Sequence, residues 1–253
     1  MMKRRILLSL TLLLLLVPLR GQNPQQVFDR ANQLYQQNQF AQAQGEYEKL
    51  LQNGCEGAEL EYNLGNACYK SGQLAKAILH YERARKLNPG DEDLRHNLRL
   101  AALMITDKIE VAPRFFLWQL WDRGKAACSM DAITWLSYGC FAACLGAIAL
   151  LLHARTYALR RFAFITALAC GAGCLLFFAT FLAKRADTLR RDSAIVMNDI
   201  ATLKNAPDAL SSDAFVLHGG VKVQVLDQVG QWLKIRIADG NVGWIEQQAI
   251  EVI

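Results

Sequence analysis

Two stretches of the chain, Ala132 to His153 (AITWLSYGCFAACLGAIALLLH) and Phe162 to Ala183 (FAFITALACGAGCLLFFATFLA), contain no Asp, Glu, Lys or Arg. A helix crosses the hydrocarbon core of a bilayer in about 20 apolar residues, and there all its backbone polar groups must be satisfied internally. Each stretch therefore predicts a membrane helix, the first over 131–153 and the second over 162–183. Only residues 154–161 separate them, so they form a tight hairpin and the flanking chain leaves the membrane on one side. The connection carries Arg155, Arg160 and Arg161, and basic short loops face the cytoplasm. Lys184, Arg185, Arg190 and Arg191 beyond the second helix oppose that orientation.

The N-terminus breaks the tie. Residues 1–21, MMKRRILLSLTLLLLLVPLRG, have a basic start, an apolar centre from Ile6 to Val17 and a short polar exit, the pattern of a secretory signal peptide. It would be cleaved near Gly21-Gln22 or kept as an anchor, and no Cys follows it to suggest a lipoprotein. Export makes the first membrane helix run out-to-in. Residues 22–130 and 184–253 are then periplasmic, residues 154–161 cytoplasmic, and the chain a protein of the bacterial inner membrane. The apolar share of 53% is met by these segments rather than by soluble cores alone.

Within the membrane hairpin, small residues recur at four-residue intervals, at Gly139, Ala143 and Ala147, and at Ala167 with Gly171 or Ala169 with Gly173. They permit close helix contact, either inside the hairpin or with a partner. Cys140 with Cys144, and Cys170 with Cys174, lie one turn apart, but hydrocarbon opposes thiolates and no His or carboxylate accompanies them. They read as small packing residues and not as a metal site. Cys68 falls on an apolar helical face, and Cys55 and Cys128 are candidates for an exported disulfide. Before the membrane, within 108–130, the segment RFFLWQLWDRGK concentrates Phe115, Phe116, Trp118 and Trp121 beside charges. That composition suits the headgroup level, although such rings also pack on neighbouring helices.

Residues 22–107 are helical and repetitive. Leu64, Gly65, Cys68 and Tyr69 share one helical face, and Leu74, Ala77, Ile78, Tyr81 and Ala84 another, with Ser71-Gly72 as the turn and Asn88-Pro89-Gly90 as the stop. A shift of 34 residues lays Ala31 on Gly65, Tyr35 on Tyr69, Asn38 on Gly72, Phe40 on Leu74, Ala43 on Ala77, Tyr47 on Tyr81 and Leu50 on Ala84. The pattern of Leu64, Gly65, Ala77, Tyr81, Ala84 and Pro89 resembles the tetratricopeptide repeat. It is closest over 58–91 and looser over 24–57, where Ala31 replaces the glycine and Asn53-Gly54-Cys55 replaces the closing proline. Glu92 to about Thr106 has the polarity of a lone capping helix.

The resemblance implies a concave protein-binding face made by the first helix of each hairpin. Its positions fall on Asn32, Tyr35 and Gln36, and on Tyr62, Asn66, Tyr69 and Lys70. Asn offers both donor and acceptor to a peptide, and Tyr offers apolar area with a polar tip. Lys70, with Arg95 and Arg99 on the capping helix, would make one end positive and suit an acidic segment or a carboxylate. These side chains could equally be solvated, with Tyr69 packed between hairpins.

After residue 184 comes a linker, and then the periodicity changes. DSAIVMND starts a strand, ATLKNAPDALSSDAFVLHGG has the breaks of a long loop and turn, and VKVQVLD, QWLKIRIADG and NVGWIEQQAIEVI are short strands with tight turns. FVLHGGVKVQVLDQVGQWLKIRIADGNVGWI resembles the bacterial SH3-like domain in its Gly turn, valine strand, Trp232, Asp-Gly hairpin and closing Gly-Trp-Ile. Trp232 and Trp244 would frame a peptide groove or fill the core.

The expected fold is thus a multidomain membrane protein: all-α tetratricopeptide repeat hairpins, a transmembrane helical hairpin and a small all-β SH3-like barrel. No nucleophile elbow, P-loop or metalloprotease motif occurs, and His80, His96, His153 and His218 lie in separate modules, so no catalytic residues, metal ligands or cofactors are expected. The net charge of +5 gathers at membrane flanks, which argues against nucleic acid. The full module order resembles the BatE-like family of Bacteroides aerotolerance operon products. That resemblance implies a membrane scaffold in an aerotolerance or envelope-stress complex with von Willebrand factor A domain membrane proteins and a MoxR-type ATPase. A cell-wall sensor or tether, whose SH3-like domain binds peptidoglycan peptides, is the alternative.

Overall fold

The computed structural model describes residues 23–109, 115–189 and 192–253. The expected signal peptide, residues 110–114 of the juxtamembrane segment, Arg190 and Arg191 lie outside the described residues. The rest comprises helical tetratricopeptide-like hairpins, two helices long and apolar enough to cross a membrane, and an antiparallel SH3-like sheet. It divides into two compact units, one within residues 1–56 and one within 57–253.

The first unit is the hairpin α1 (Pro24–Gln36) and α2 (Phe40–Gln52). Asn23 caps α1 by accepting from the Gln25 amide at 3.1 Å, and Pro24 sits in the first turn, where its missing N–H costs nothing. Ala31 and Ala43 are fully buried, and Phe28 meets Tyr47 edge to face. The turn runs through Asn38, whose φ of 59° is one that Asn tolerates better than most residues.

In the second unit, α3 (Ala58–Lys70) and α4 (Leu74–Leu87) repeat this hairpin, with Gly72 at φ 76° in the place of Asn38. Gly65 lets α4 come close: a Cβ there would stand 2.6 Å from the Tyr81 ring. Glu61 and His80, both buried, link the two helices through Oε2 and Nδ1 at 2.7 Å. The lone helix α5 (Glu92–Leu103) is capped by Asp91, which accepts from the Leu94 amide at 3.0 Å, and it packs on α4.

Helix α6 (Phe116–Ala127) precedes the apolar hairpin of α7 (Met130–His153) and α8 (Tyr157–Leu189). The expected connection over 154–161 is shorter, covering residues 154–156. Thr156 accepts from the Leu159 amide and so starts α8 inside the basic stretch. At its other end α8 passes residue 183, since AKRADTL holds no Pro or Gly to stop it. Across the hairpin Gly173 faces Cys140 and Gly171 faces Cys144, whose Sγ lies 3.4 Å from the Ala167 carbonyl oxygen. The thiols of α7 and α8 therefore act as packing groups, and none of the seven cysteines forms a disulfide.

The C-terminal sheet has seven antiparallel strands: β1 (Ser193–Val196), β2 (Ile200–Lys204), β3 (Asp213–His218), β4 (Lys222–Val229), β5 (Trp232–Arg236), β6 (Val242–Glu246) and β7 (Ile250–Val252). Their order is β3-β2-β6-β5-β4-β1-β7, so β3 and β7 are the edges of an open sheet. Residues 201–220, expected as a long loop and turn, contain nearly all of the hairpin β2–β3. Ala201 and Leu203 alternate inward against outward Thr202 and Lys204, and Pro207 falls in the connection rather than in a strand.

This sheet is docked on the second repeat. Gly220, at φ 93°, brings the β3–β4 turn against Ile78 and Ile105, where a Cβ would approach those side chains to 3.1 and 3.4 Å. Ile105 and Ile109, just after α5, also pack against the apolar core of the sheet. Arg83 donates to Glu251 Oε1 at 2.9 Å and to the Val252 carbonyl at 2.8 Å, while Lys86 donates to the Ile253 carbonyl at 2.9 Å. Asp107 accepts from the His218 amide at 2.7 Å, and its other oxygen lies 2.8 Å from His218 Nδ1. The second repeat and the sheet thus sit on the same side of the apolar hairpin.

Candidate functional site

The residues expected to line the concave face are half structural. In the second unit Asn66 Oδ1 accepts from the Tyr81 hydroxyl at 2.8 Å and from Asn97 Nδ2 at 3.0 Å, and Asn97 Nδ2 also lies 2.9 Å from the Tyr62 hydroxyl. These bonds tie α3 to α4 and to α5. Tyr69 is half-buried with its hydroxyl 3.1 Å from Met104 Sδ, and Lys70 is exposed. In the first unit Asn32 Oδ1 accepts from the Tyr47 hydroxyl at 2.5 Å, Tyr35 packs edge to face on Phe40, and Gln36 is exposed.

The same strut, Asn to Tyr across fifteen positions, thus stands in both hairpins. Its signal was present in the sequence, as an Asn and a Tyr that both recur at the 34-residue shift. Buried tyrosine hydroxyls need an acceptor, and in a repeat the acceptor has to repeat with them.

Arg95 and Arg99 do not share a surface with Lys70. On α5 the buried side is Leu94, Asn97 and Ala101, and the two arginines lie on one flank of it. That flank lines a cleft of about 1240 Å³ with Arg85 and Lys86 of α4 and Lys222 of β4. Helical geometry separates what linear proximity had grouped, since Met104, which meets Tyr69, lies on the other flank.

The two tryptophans occupy the outer surface of the sheet. Leu233, Ile235 and Ile245 point into the core, so Trp232 and Trp244, alternating with them, point out and are half-buried. Lys234 pairs with Trp244 across β5–β6 and holds its Nζ 5.8 Å from that ring's centroid, and Lys204 of β2 pairs with Trp244 on its other side. Trp232 and Trp244 are diagonal neighbours, close enough for one ligand to touch both. Lys204 is already paired with Asp213 at 2.6 Å, so the surface is aromatic with Lys234 as its cation, suited to an apolar or planar group bearing a carboxylate.

Phe115 at the N-cap of α6 and Phe116, Trp118 and Leu120 on it are 60–64% exposed, whereas Trp121 is half-buried. The first four form an exposed apolar surface at the start of the apolar hairpin. Lys184 near the end of α8 donates to the Lys125 carbonyl at 3.0 Å and to that of Cys128, which joins α6 to the top of the hairpin.

Residues 28–92 are similar to the tetratricopeptide repeat and residues 201–251 to the bacterial SH3 domain, by match to the models of those families. Comparison with curated proteins finds no match.

Proposed function

We propose that this chain is a non-enzymatic scaffold of the bacterial inner membrane, with its repeats and SH3-like domain in the periplasm, where they hold protein partners. The observation that carries the reading is the combination of two module types used for protein or peptide binding, on one side of an apolar hairpin and docked to each other. Docking gives partners a fixed spacing, as a scaffold requires. The likeness in module order to the BatE-like family points to von Willebrand factor A domain membrane proteins and a MoxR-type ATPase system as partners in aerotolerance or envelope stress. The test is affinity capture of the tagged full chain, solubilised in mild detergent from its host. Recovery of von Willebrand factor A proteins at stoichiometric levels is expected, and their absence from a capture that retains other membrane proteins sinks the assignment.

A second reading, a tether that binds peptidoglycan peptides, is favoured by the outward Trp232 and Trp244 beside Lys234. Stem peptides carry carboxylates that such a surface would hold. It predicts that the full chain in detergent sediments with purified wall sacculi, and that Trp232→Ala with Trp244→Ala abolishes this. A chain that stays in the supernatant removes the tether reading and leaves the scaffold.

A further inference from the structure

The cleft beside α5 is both basic and apolar. Seven Lys or Arg line it against four Asp or Glu, which leaves a surplus of three positive charges. Several of these charges are already matched: Glu82 receives Arg85 at 2.6 Å and Lys222 at 2.8 Å, Arg95 meets Glu92 at 3.2 Å, and Lys125 meets Asp122 at 3.1 Å. Arg99 meets no partner among the described residues. Leu98, Ala102 and Ile105 supply apolar surface between these charges, so a ligand that fits must offer an anion and a hydrocarbon part together.

The position of the cleft says where that ligand comes from. One wall is Arg95 and Arg99 on the soluble module, and the other includes Lys125 of α6 and Lys184 of α8. Lys184 stands just past the last apolar turn of its helix, and α6 carries the exposed aromatic side chains that suit the headgroup layer. The cleft therefore opens at the level where lipid phosphates lie.

We propose that this cleft binds the phosphodiester headgroup of an anionic phospholipid from the adjoining leaflet, with Arg95 and Arg99 on one side of the phosphate and Lys125 and Lys184 on the other. Basic pockets at membrane level hold anionic headgroups in this way. The lipid would clamp the docked repeat and sheet against the membrane hairpin. The inference rests on α7 and α8 lying in a membrane and not on the identity of any protein partner.

The test uses the full chain, delipidated in neutral detergent. Phosphatidylglycerol, phosphatidylcholine and inorganic phosphate are each titrated, with thermal stability and lipid retention in native mass spectrometry as readouts. Phosphatidylglycerol is expected to raise the melting temperature and stay bound, while the other two do neither. Arg95→Gln with Arg99→Gln keeps good helix formers on an exposed surface and should weaken phosphatidylglycerol binding about thirtyfold, whereas Lys70→Gln, outside the cleft, should change nothing. Equal responses to the two lipids, a response to inorganic phosphate as large as that to phosphatidylglycerol, undiminished binding by the double variant, or displacement of the lipid by an oligoglutamate peptide would each overturn the proposal. Retention of the chain in membranes after an alkaline carbonate wash checks the premise separately. Release by that wash would remove the premise, and retention without lipid selectivity sinks the cleft alone.

Discussion

At Gly65 a missing methyl group sets how closely the second hairpin closes. A Cβ there would lie 2.6 and 2.7 Å from two atoms of the Tyr81 ring, and that ring is held by its bond to Asn66. Gly65→Leu should therefore lower stability by about 1–3 kcal/mol or more through overpacking, seen as a lower melting temperature of the full chain in detergent. An unchanged melting temperature would contradict the close approach. Gly72 tests a different cause, because a Cβ there meets nothing within 4 Å while its φ is 76°. Gly72→Ala is expected to cost about 1–2 kcal/mol from backbone conformation alone, while Asn38→Gly at the equivalent turn should be neutral or stabilising. Asn66 is a poor probe of binding, since Asn66→Ala would leave the Tyr81 hydroxyl, on a residue 1% exposed, without its acceptor, at about 1–3 kcal/mol. Lys70→Ala touches no such bond and is the cleaner variant of that face.

The elements were legible to unequal degrees. The helical hairpins follow from a 34-residue period and the two long apolar helices from length and lack of charge, both of which depend on local composition. The hairpin β2–β3 did not stand out, because its strands are short and flank a connection rich in Ser, Asn, Asp and Pro, which by itself reads as loop. Its pairing is decided by the neighbouring strand β6, where Gly243 lets Leu203 approach to within 3 Å of a would-be Cβ. The Gly219-Gly220 turn has a similar second use, as the point where the sheet meets α4. Arg83→Ala combined with Asp107→Asn should loosen that contact without unfolding either module. Hydrogen exchange should then rise severalfold in β1, β7 and residues 104–109 while the core strand β5 stays protected. Unaltered exchange would mean that these bonds do not hold the modules together.

For the molecule, docking of the sheet on the second repeat constrains topology more firmly than charge counting does. Two modules in contact share a compartment, so any membrane crossings between residues 109 and 192 must be even in number. We expect a single cysteine at position 210, where Leu210 is 94% exposed, to react with an impermeant thiol reagent once the outer membrane is permeabilised. A cysteine at position 155 should react only after the inner membrane is opened. Reaction of both positions under the first condition, in a background without native cysteines, would refute the hairpin.

Local pattern was enough to determine the modules and their order: the repeat period, the uncharged apolar runs and the strand alternation are properties of neighbouring residues and survive without tertiary context. Neighbouring residues could not say which polar groups were available. Asn32 and Asn66 looked like binding groups and are struts, because a buried tyrosine hydroxyl fifteen positions away requires an acceptor. Arg95 and Arg99 looked like companions of Lys70 and line another surface with Arg85, Lys86 and Lys222, because the turn of α5 and the docking of the sheet determine who faces whom. That docking joins residues as much as 169 positions apart, such as Arg83 and Val252, and only the packed chain brings such pairs together.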